Sequence, residues 1–214
     1  MAKVKICGLR TQTDVKIVNR YLPEYVGFVF ANTRRFVTDE QAFAMRKTLD
    51  DRIQAVGVFV NEPMEHIVQL CDAGVINAVQ LHGDETEAYI QKIKRETDIC
   101  VIKAVRVQHA DQVMECMSSE ADFMLFDTYK EGMPGGTGER FSLEILQESF
   151  AELRERNLII KPYFLAGGLN SGNAAQVICQ TDCYAVDVST GVETDGVKDE
   201  MKIKRFIDCV RKKF

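Results

Sequence analysis

Short runs of β-branched and aromatic residues alternate along the chain with segments whose apolar positions recur at helical spacing. Eight such runs predict strands, at residues 4–7, 25–30, 55–60, 78–82, 100–105, 123–127, 163–166 and 185–189. They are uninterrupted, as in Val56-Gly57-Val58-Phe59-Val60, rather than alternating apolar and polar. That is the pattern of strands covered on both faces. Helix starts are legible between them. Thr11 with Asp14, and Thr38 with Gln41, have capping-box spacing, in which the hydroxyl accepts an early backbone N–H and the acid or amide reaches back. Asn61 followed by Pro63 is a further N-terminal signal, because proline is tolerated in the first turn. Ala110, Val113, Met114 and Met117 recur at i, i+3, i+4 and i+7, as do Ile203, Phe206, Ile207 and Val210. The methionines in the first series read as core filling.

Most successive strands begin just over twenty residues apart, enough for a strand, a helix and two short loops. The sixth interval takes about 40 residues, and its surplus is a Gly- and Pro-containing loop over residues 128–140. Eight β-α units without a linker, joined by right-handed crossovers, predict an α/β protein of the (β/α)8 TIM-barrel type, one domain spanning residues 1–214. An open doubly wound sheet is the rival arrangement.

Composition narrows the function classes. With 46% apolar and 28% charged residues the chain can build a core, which excludes disorder. The net charge of −5 is spread without a basic stripe, so no nucleic-acid partner is expected. No run approaches the ~18 apolar residues of a membrane span. The start lacks the basic-then-apolar order of a signal peptide. Seven cysteines, an odd number, show no C-x-x-C pair, and the three histidines lie far from them in sequence. No metal site is expected, and the cysteines read as reduced thiols of a cytoplasmic protein.

In a barrel of this type the loops after the strands build the active site. Reactive residue types collect there. Gly167 and Gly168 follow the seventh strand and are read as opening a helix; Ser189, Thr190 and Gly191 end the eighth. Two Gly-containing turns on the last two strands predict a phosphate site, since backbone N–H groups at helix starts favour anions. Cys7 ends the first strand before a glycine, and Asp127 ends the sixth. Both have bland readings, an inert core thiol and a capping carboxylate. Aimed into the mouth, they are groups able to move protons on two sides of a phosphate-anchored ligand. His82 is either a third proton carrier or a hydrogen-bonded structural group. Arg34 and Arg35 are either a carboxylate clamp or a solvated charge pair.

These residues sit in stretches that resemble the phosphoribosylanthranilate isomerase family of tryptophan biosynthesis. The stretches include Lys5-Ile6-Cys7-Gly8, Gly27-Phe28-Val29-Phe30 with Thr33-Arg34-Arg35, Val79-Gln80-Leu81-His82-Gly83 and Leu125-Phe126-Asp127. Pro134-Gly135-Gly136-Thr137-Gly138, Leu165-Ala166-Gly167-Gly168-Leu169-Asn170 and Val186-Asp187-Val188-Ser189-Thr190-Gly191 complete an ordered set over almost the whole chain. Thr33 stands where serine is common, and the loop before Arg35 is a residue short, which leaves both arginines as candidates for one role. The resemblance implies an Amadori rearrangement of N-(5'-phosphoribosyl)anthranilate to 1-(2-carboxyphenylamino)-1-deoxyribulose 5-phosphate, with no metal or organic cofactor. It implies Asp127 as general acid, Cys7 as general base and Arg35 as the holder of the substrate carboxylate. Backbone around Gly138, Gly168, Ser189 and Gly191 would hold the phosphate, with Asp187 lining the site beside the bridging nitrogen. A free thiol is only a few per cent ionised at neutral pH, so Cys7 is expected to be shifted downward by N–H dipoles or by the substrate iminium. A small phosphoribosyl compound is thus the expected partner, met by a monomer or homodimer.

Three rivals share the fold. The related isomerase of histidine biosynthesis leads one to expect a carboxylate, not Cys7, on the first strand. A metal-dependent epimerase needs paired histidines and aspartates as ligands. A non-catalytic binding barrel needs neither proton-transfer group.

Overall fold

The computed structural model describes residues 1–127 and 138–212, with side chains in the second span from residue 143 onward. Its first half runs β1 (Lys3–Cys7), α1 (Gln12–Tyr21), β2 (Tyr25–Val29), α2 (Asp39–Arg46), β3 (Gln54–Phe59), α3 (Met64–Asp72), β4 (Ala78–Leu81) and α4 (Glu87–Glu96). The second continues β5 (Cys100–Arg106), α5 (Ala110–Cys116), β6 (Phe123–Asp127), α6 (Gly138–Glu155), β7 (Tyr163–Ala166), α7 (Ala174–Gln180) and β8 (Ala185–Val188). A two-stranded ribbon, β9 (Glu193–Thr194) and β10 (Val197–Lys198), precedes α8 (Glu200–Arg211). Strands β1 to β8 pair in parallel in chain order and β8 returns to β1, closing the barrel.

All eight sequence-predicted strands are present, with ends shifted by a residue or so. His82 and Ser189 lie just past the ends of β4 and β8, where loops begin. Both capping boxes form, Thr11 with Asp14 and Thr38 with Gln41. The ribbon β9–β10 had no sequence signal, because two-residue strands carry no periodicity. The loop read at residues 128–140 falls largely outside the described residues; Gly138 is the first residue of α6. One expectation is corrected. The Gly167-Gly168 turn does not open a helix directly, since α7 begins only at Ala174, after a turn in which Asn173 Oδ1 accepts the Asn170 N–H.

Burial follows the two-layer logic of the fold. One apolar layer lies between strands and helices and includes Ile203, Phe206, Ile207 and Val210 of α8. A smaller one fills the barrel itself: Val56, Ala78, Ile102, Leu125, Phe164 and Ala185. Beneath it aromatic rings close the N-terminal end. Tyr25 meets Phe164 edge-on at 5.3 Å, and the Tyr25 and Tyr184 hydroxyls bond each other at 2.8 Å. Lys3 Nζ donates to the Tyr184 hydroxyl at 2.6 Å. The C-terminal mouth is left hollow. Among the described residues no helix is long and apolar enough to cross a membrane.

Candidate active site

A cleft of about 610 Å³ opens at the C-terminal ends of the strands. Its lining includes Cys7, Arg35, His82, Asp127, Asp187 and Ser189, residues that the sequence scatters over five of the eight β-α units. The barrel brings them together by placing every strand end on one rim.

Cys7 is the last residue of β1, and its sulfur needs room. A Cβ on Gly27, its partner on β2, would lie 2.8 Å from the Cys7 sulfur, so only glycine leaves that space. Gly8 does the same for Arg35: a Cβ there would lie 2.4 Å from Arg35 Cδ, and its φ of +83° also favours glycine. Below Cys7, on the same face of β1, sits Lys5 with no exposed surface. It pairs with Asp187 on β8 at 3.0 Å, directly opposite in the strand register. The Lys5 ammonium also favours the charged form of the Cys7 sulfur. Burial pushes the Cys7 thiol up, against the pull of Lys5, so the resting group is a thiol. The downward shift expected from local dipoles is therefore not what the surrounding protein groups supply. Lys5 itself is pulled down by burial, but Asp187 and Cys7 together outweigh this and keep it charged.

Asp127 ends β6, three strands round the ring from β1. Its carboxylate is 3.7 Å from His82 Nε2, within electrostatic reach but beyond a direct hydrogen bond. His82 is pulled down by burial despite the nearby carboxylate, which makes it neutral at ordinary pH. The buried Gln80 amide donates to His82 Nδ1 at 3.2 Å, so the hydrogen-bond network assigns the proton to Nε2, the side facing Asp127. His82 thus acts in this structure as an oriented, uncharged neighbour of the acid.

The two arginines separate. Arg34 is more than half exposed, whereas Arg35 is about one-fifth exposed and lies over Gly8. Both reach Glu193 of β9. Arg35 grips it with two bonds, Nε to Oε1 at 2.9 Å and Nη2 to Oε2 at 3.2 Å. Lys198 of β10 adds a third cation at 2.9 Å. Burial alone would raise Glu193, but hydrogen bonds from Arg35 and Lys198 dominate and hold it down at about 2. Three cations around one anion leave this wall of the cleft positive.

Gly167, Gly168, Ser189 and Thr190 line the adjoining corner. Gly167 and Gly168 have φ of +95° and +63°, a turn that other residues resist. Gly191 presses against the opposite loop, since a Cβ on it would lie 1.9 Å from the Leu169 carbonyl oxygen. It is the contact that lets the two loops meet. The Ser189 hydroxyl donates to the Cys7 carbonyl at 3.0 Å, and Lys198 Nζ donates to the Ser189 carbonyl at 3.1 Å. A buried ammonium therefore stands directly behind the corner read as a phosphate site.

Sequence reading missed Lys5, Gln80, Glu193 and Lys198. Two of them carried a signal: Lys5 and Gln80 are polar residues inside apolar strands, each two positions before a strand-end group and so on its face.

The chain has close relatives. A family model for N-(5'-phosphoribosyl)anthranilate isomerase matches residues 4–209. The N-(5'-phosphoribosyl)anthranilate isomerase of Lachnoclostridium phytofermentans is 46% identical over 208 residues, covering 96% of this chain and 95% of its own. The crystal structure of phosphoribosyl anthranilate isomerase from Thermotoga maritima superposes with a TM-score of 0.85 at 34% identity, over 99% of both chains. A phosphoribosyl anthranilate isomerase solved in complex with reduced 1-(o-carboxyphenylamino)-1-deoxyribulose 5-phosphate gives a TM-score of 0.82 at 33% identity, again over 99% of each chain.

Proposed function

The chain belongs to the N-(5'-phosphoribosyl)anthranilate isomerase family, and we propose how its cleft performs the rearrangement that defines that isomerase of tryptophan biosynthesis. The reaction turns N-(5'-phosphoribosyl)anthranilate into 1-(2-carboxyphenylamino)-1-deoxyribulose 5-phosphate. The observation that carries the assignment of roles is the presence of Cys7 and Asp127 on the rim of one cleft, with a glycine-walled, cation-backed corner beside them.

The phosphate lies against Gly167, Gly168, Ser189 and Thr190, with Gly138 at the start of α6 as a further backbone donor. Lys198, behind Ser189, supplies the compensating charge. Arg35, whose Nε and Nη2 are held by Glu193, turns its remaining Nη1 edge to the anthranilate carboxylate. Asp127 gives its proton to the furanose ring oxygen; the bond from that oxygen to C1 breaks, and the nitrogen lone pair forms a C1 iminium. Cys7, as thiolate, then takes the C2 proton. The C2–H electron pair becomes the C1=C2 bond, the iminium pair returns to nitrogen, and the enolamine tautomerises to the ketone. Because the iminium is an electron sink, a modest base suffices. Its positive charge also helps to hold a thiolate against burial.

No metal or organic cofactor enters this scheme. The whole chain acts as one barrel domain in the cytoplasm, as a monomer or homodimer, and its partner is the phosphoribosyl substrate. The test is turnover of freshly generated phosphoribosylanthranilate, followed by loss of its fluorescence. Cys7→Ala and Asp127→Asn are each expected to lose most of kcat, by about 10²-fold or more, with KM little changed. Near-wild-type turnover in either variant removes that residue from the mechanism.

A further inference from the structure

Lys5 is the residue of the barrel interior that the scheme above leaves without a task. A lysine with no exposed surface is rare and is kept only where a partner repays its desolvation. Asp187 Oδ2 does so at 3.0 Å, but Asp187 holds its other oxygen, Oδ1, buried with no hydrogen-bond partner among the described residues. Asp187 lines the cleft, and Oδ1 leaves it with acceptor capacity to spare. The substrate carries a donor on its bridging nitrogen. Lys5 and Cys7 stand two positions apart on β1 and therefore share its inward face. The charged groups that face the sulfur are Lys5 on β1, Asp187 on β8 and Lys198 on β10. Of these, Lys198 is committed to Glu193 and the Ser189 carbonyl.

We propose that Lys5 is a positioning residue for the base: it neutralises Asp187 before substrate binds, and becomes the counter-ion of the Cys7 thiolate once the substrate nitrogen engages Asp187. This rests on the reading of Cys7 as the base. The Cys7 proton leaves to water as the substrate binds; the thiolate then takes the C2 proton as written above. Lys5 keeps its three protons throughout. The arrangement keeps the sulfur protonated, and so shielded from alkylation and oxidation, until there is a reason to ionise it.

The two members of this ion pair act on the sulfur with opposite sign, and that provides the test. The pH dependence of Cys7 alkylation by iodoacetamide is followed by peptide mass mapping, with the other six cysteines as internal standards. Lys5→Met is expected to move the Cys7 midpoint to higher pH. Asp187→Asn is expected to move it to lower pH, because Lys5 is then free for the sulfur. Turnover of Lys5→Met falls about tenfold or more at neutral pH, recovers as pH rises, and leaves KM within about twofold. If Lys5→Met does not fold, the pair Asp187→Asn and Lys5→Met/Asp187→Asn carries no lone buried carboxylate and differs only at Lys5; the double variant is expected to titrate above the single one. Shifts of the same sign in the two single variants, or coincident midpoints in the second comparison, overturn the proposal. Alkylation needs no substrate, so these results stand apart from turnover: an inactive wild-type chain, or a fully active Cys7→Ala variant, overturns the reading of the base and this inference with it.

Discussion

At the scale of the residue, the proposed base, Cys7, is defined as much by what is missing beside it as by the thiol. Gly27 has no side chain where one would lie 2.8 Å from the Cys7 sulfur. Gly27→Ala is expected to push the sulfur off its position while leaving the barrel folded, at a stability cost of about 1–3 kcal/mol for the overpacking. kcat should drop at least about tenfold with circular dichroism unchanged. A variant with full kcat would mean that the sulfur's placement is not critical. This residue-scale picture was partly legible in the sequence. Cys7 and Asp127 stood out because each ends an apolar strand. Lys5 was hidden because a lysine next to Val4 and Ile6 reads as a solvent-seeking group, and only ring closure shows that Asp187 lies opposite it. Glu193 and Lys198 were hidden because the ribbon that carries them has no periodic pattern.

At the scale of the element, the helices are tied to one another by a few polar contacts at their starts. His66 of α3 bonds Asp39 at the start of α2 through Nε2 at 2.9 Å, and Glu62 in the loop before α3 through Nδ1 at 2.8 Å. Partial burial pulls His66 down, but the bonds to the two carboxylates outweigh it and its folded value is raised. A raised folded value means that the protonated ring stabilises the fold. That contribution is complete below the unfolded value of about 6.5 and disappears as pH climbs through the folded one. The side chain is about one-quarter exposed, so solvent screens the pair and the effect should stay under about 1 kcal/mol. His66→Ala is therefore expected to melt below wild type at about pH 6, with the gap narrowing towards about pH 9. A gap that is constant or grows with pH contradicts the assignment. The capping boxes of α1 and α2 were legible because their hydroxyl and acceptor lie at fixed spacing; the His66 tie was not, because it joins residues 27 apart through the curvature of the barrel.

At the scale of the whole molecule, the ring is locked where its last strand meets its first. The Lys5–Asp187 pair and the Ser189 to Cys7 bond both cross the β8–β1 seam, and α8 caps it from outside, with Arg211 donating to the Tyr21 and Leu22 carbonyls. Closure depends equally on the filled interior. Leu125→Ala, a truncation at a fully buried site, is expected to cost about 2–5 kcal/mol in chemical denaturation. A loss below about 1 kcal/mol would mean that the interior collapses freely and is not close-packed. The eight-unit ring was readable from evenly spaced apolar runs. The plug beneath it was not, because Tyr25, Phe123 and Tyr184 read simply as strand-forming residues until the barrel turns them inward.

That plug has a kinetic meaning. Tyr25, Tyr184 and Phe164 seal one end and apolar side chains fill the barrel's waist, so among the described residues no path runs through the barrel and the cleft opens at the C-terminal mouth. Ketone and incoming aminosugar therefore meet at the same mouth and compete for one cleft. Accumulating ketone should raise the apparent KM and leave the limiting rate untouched.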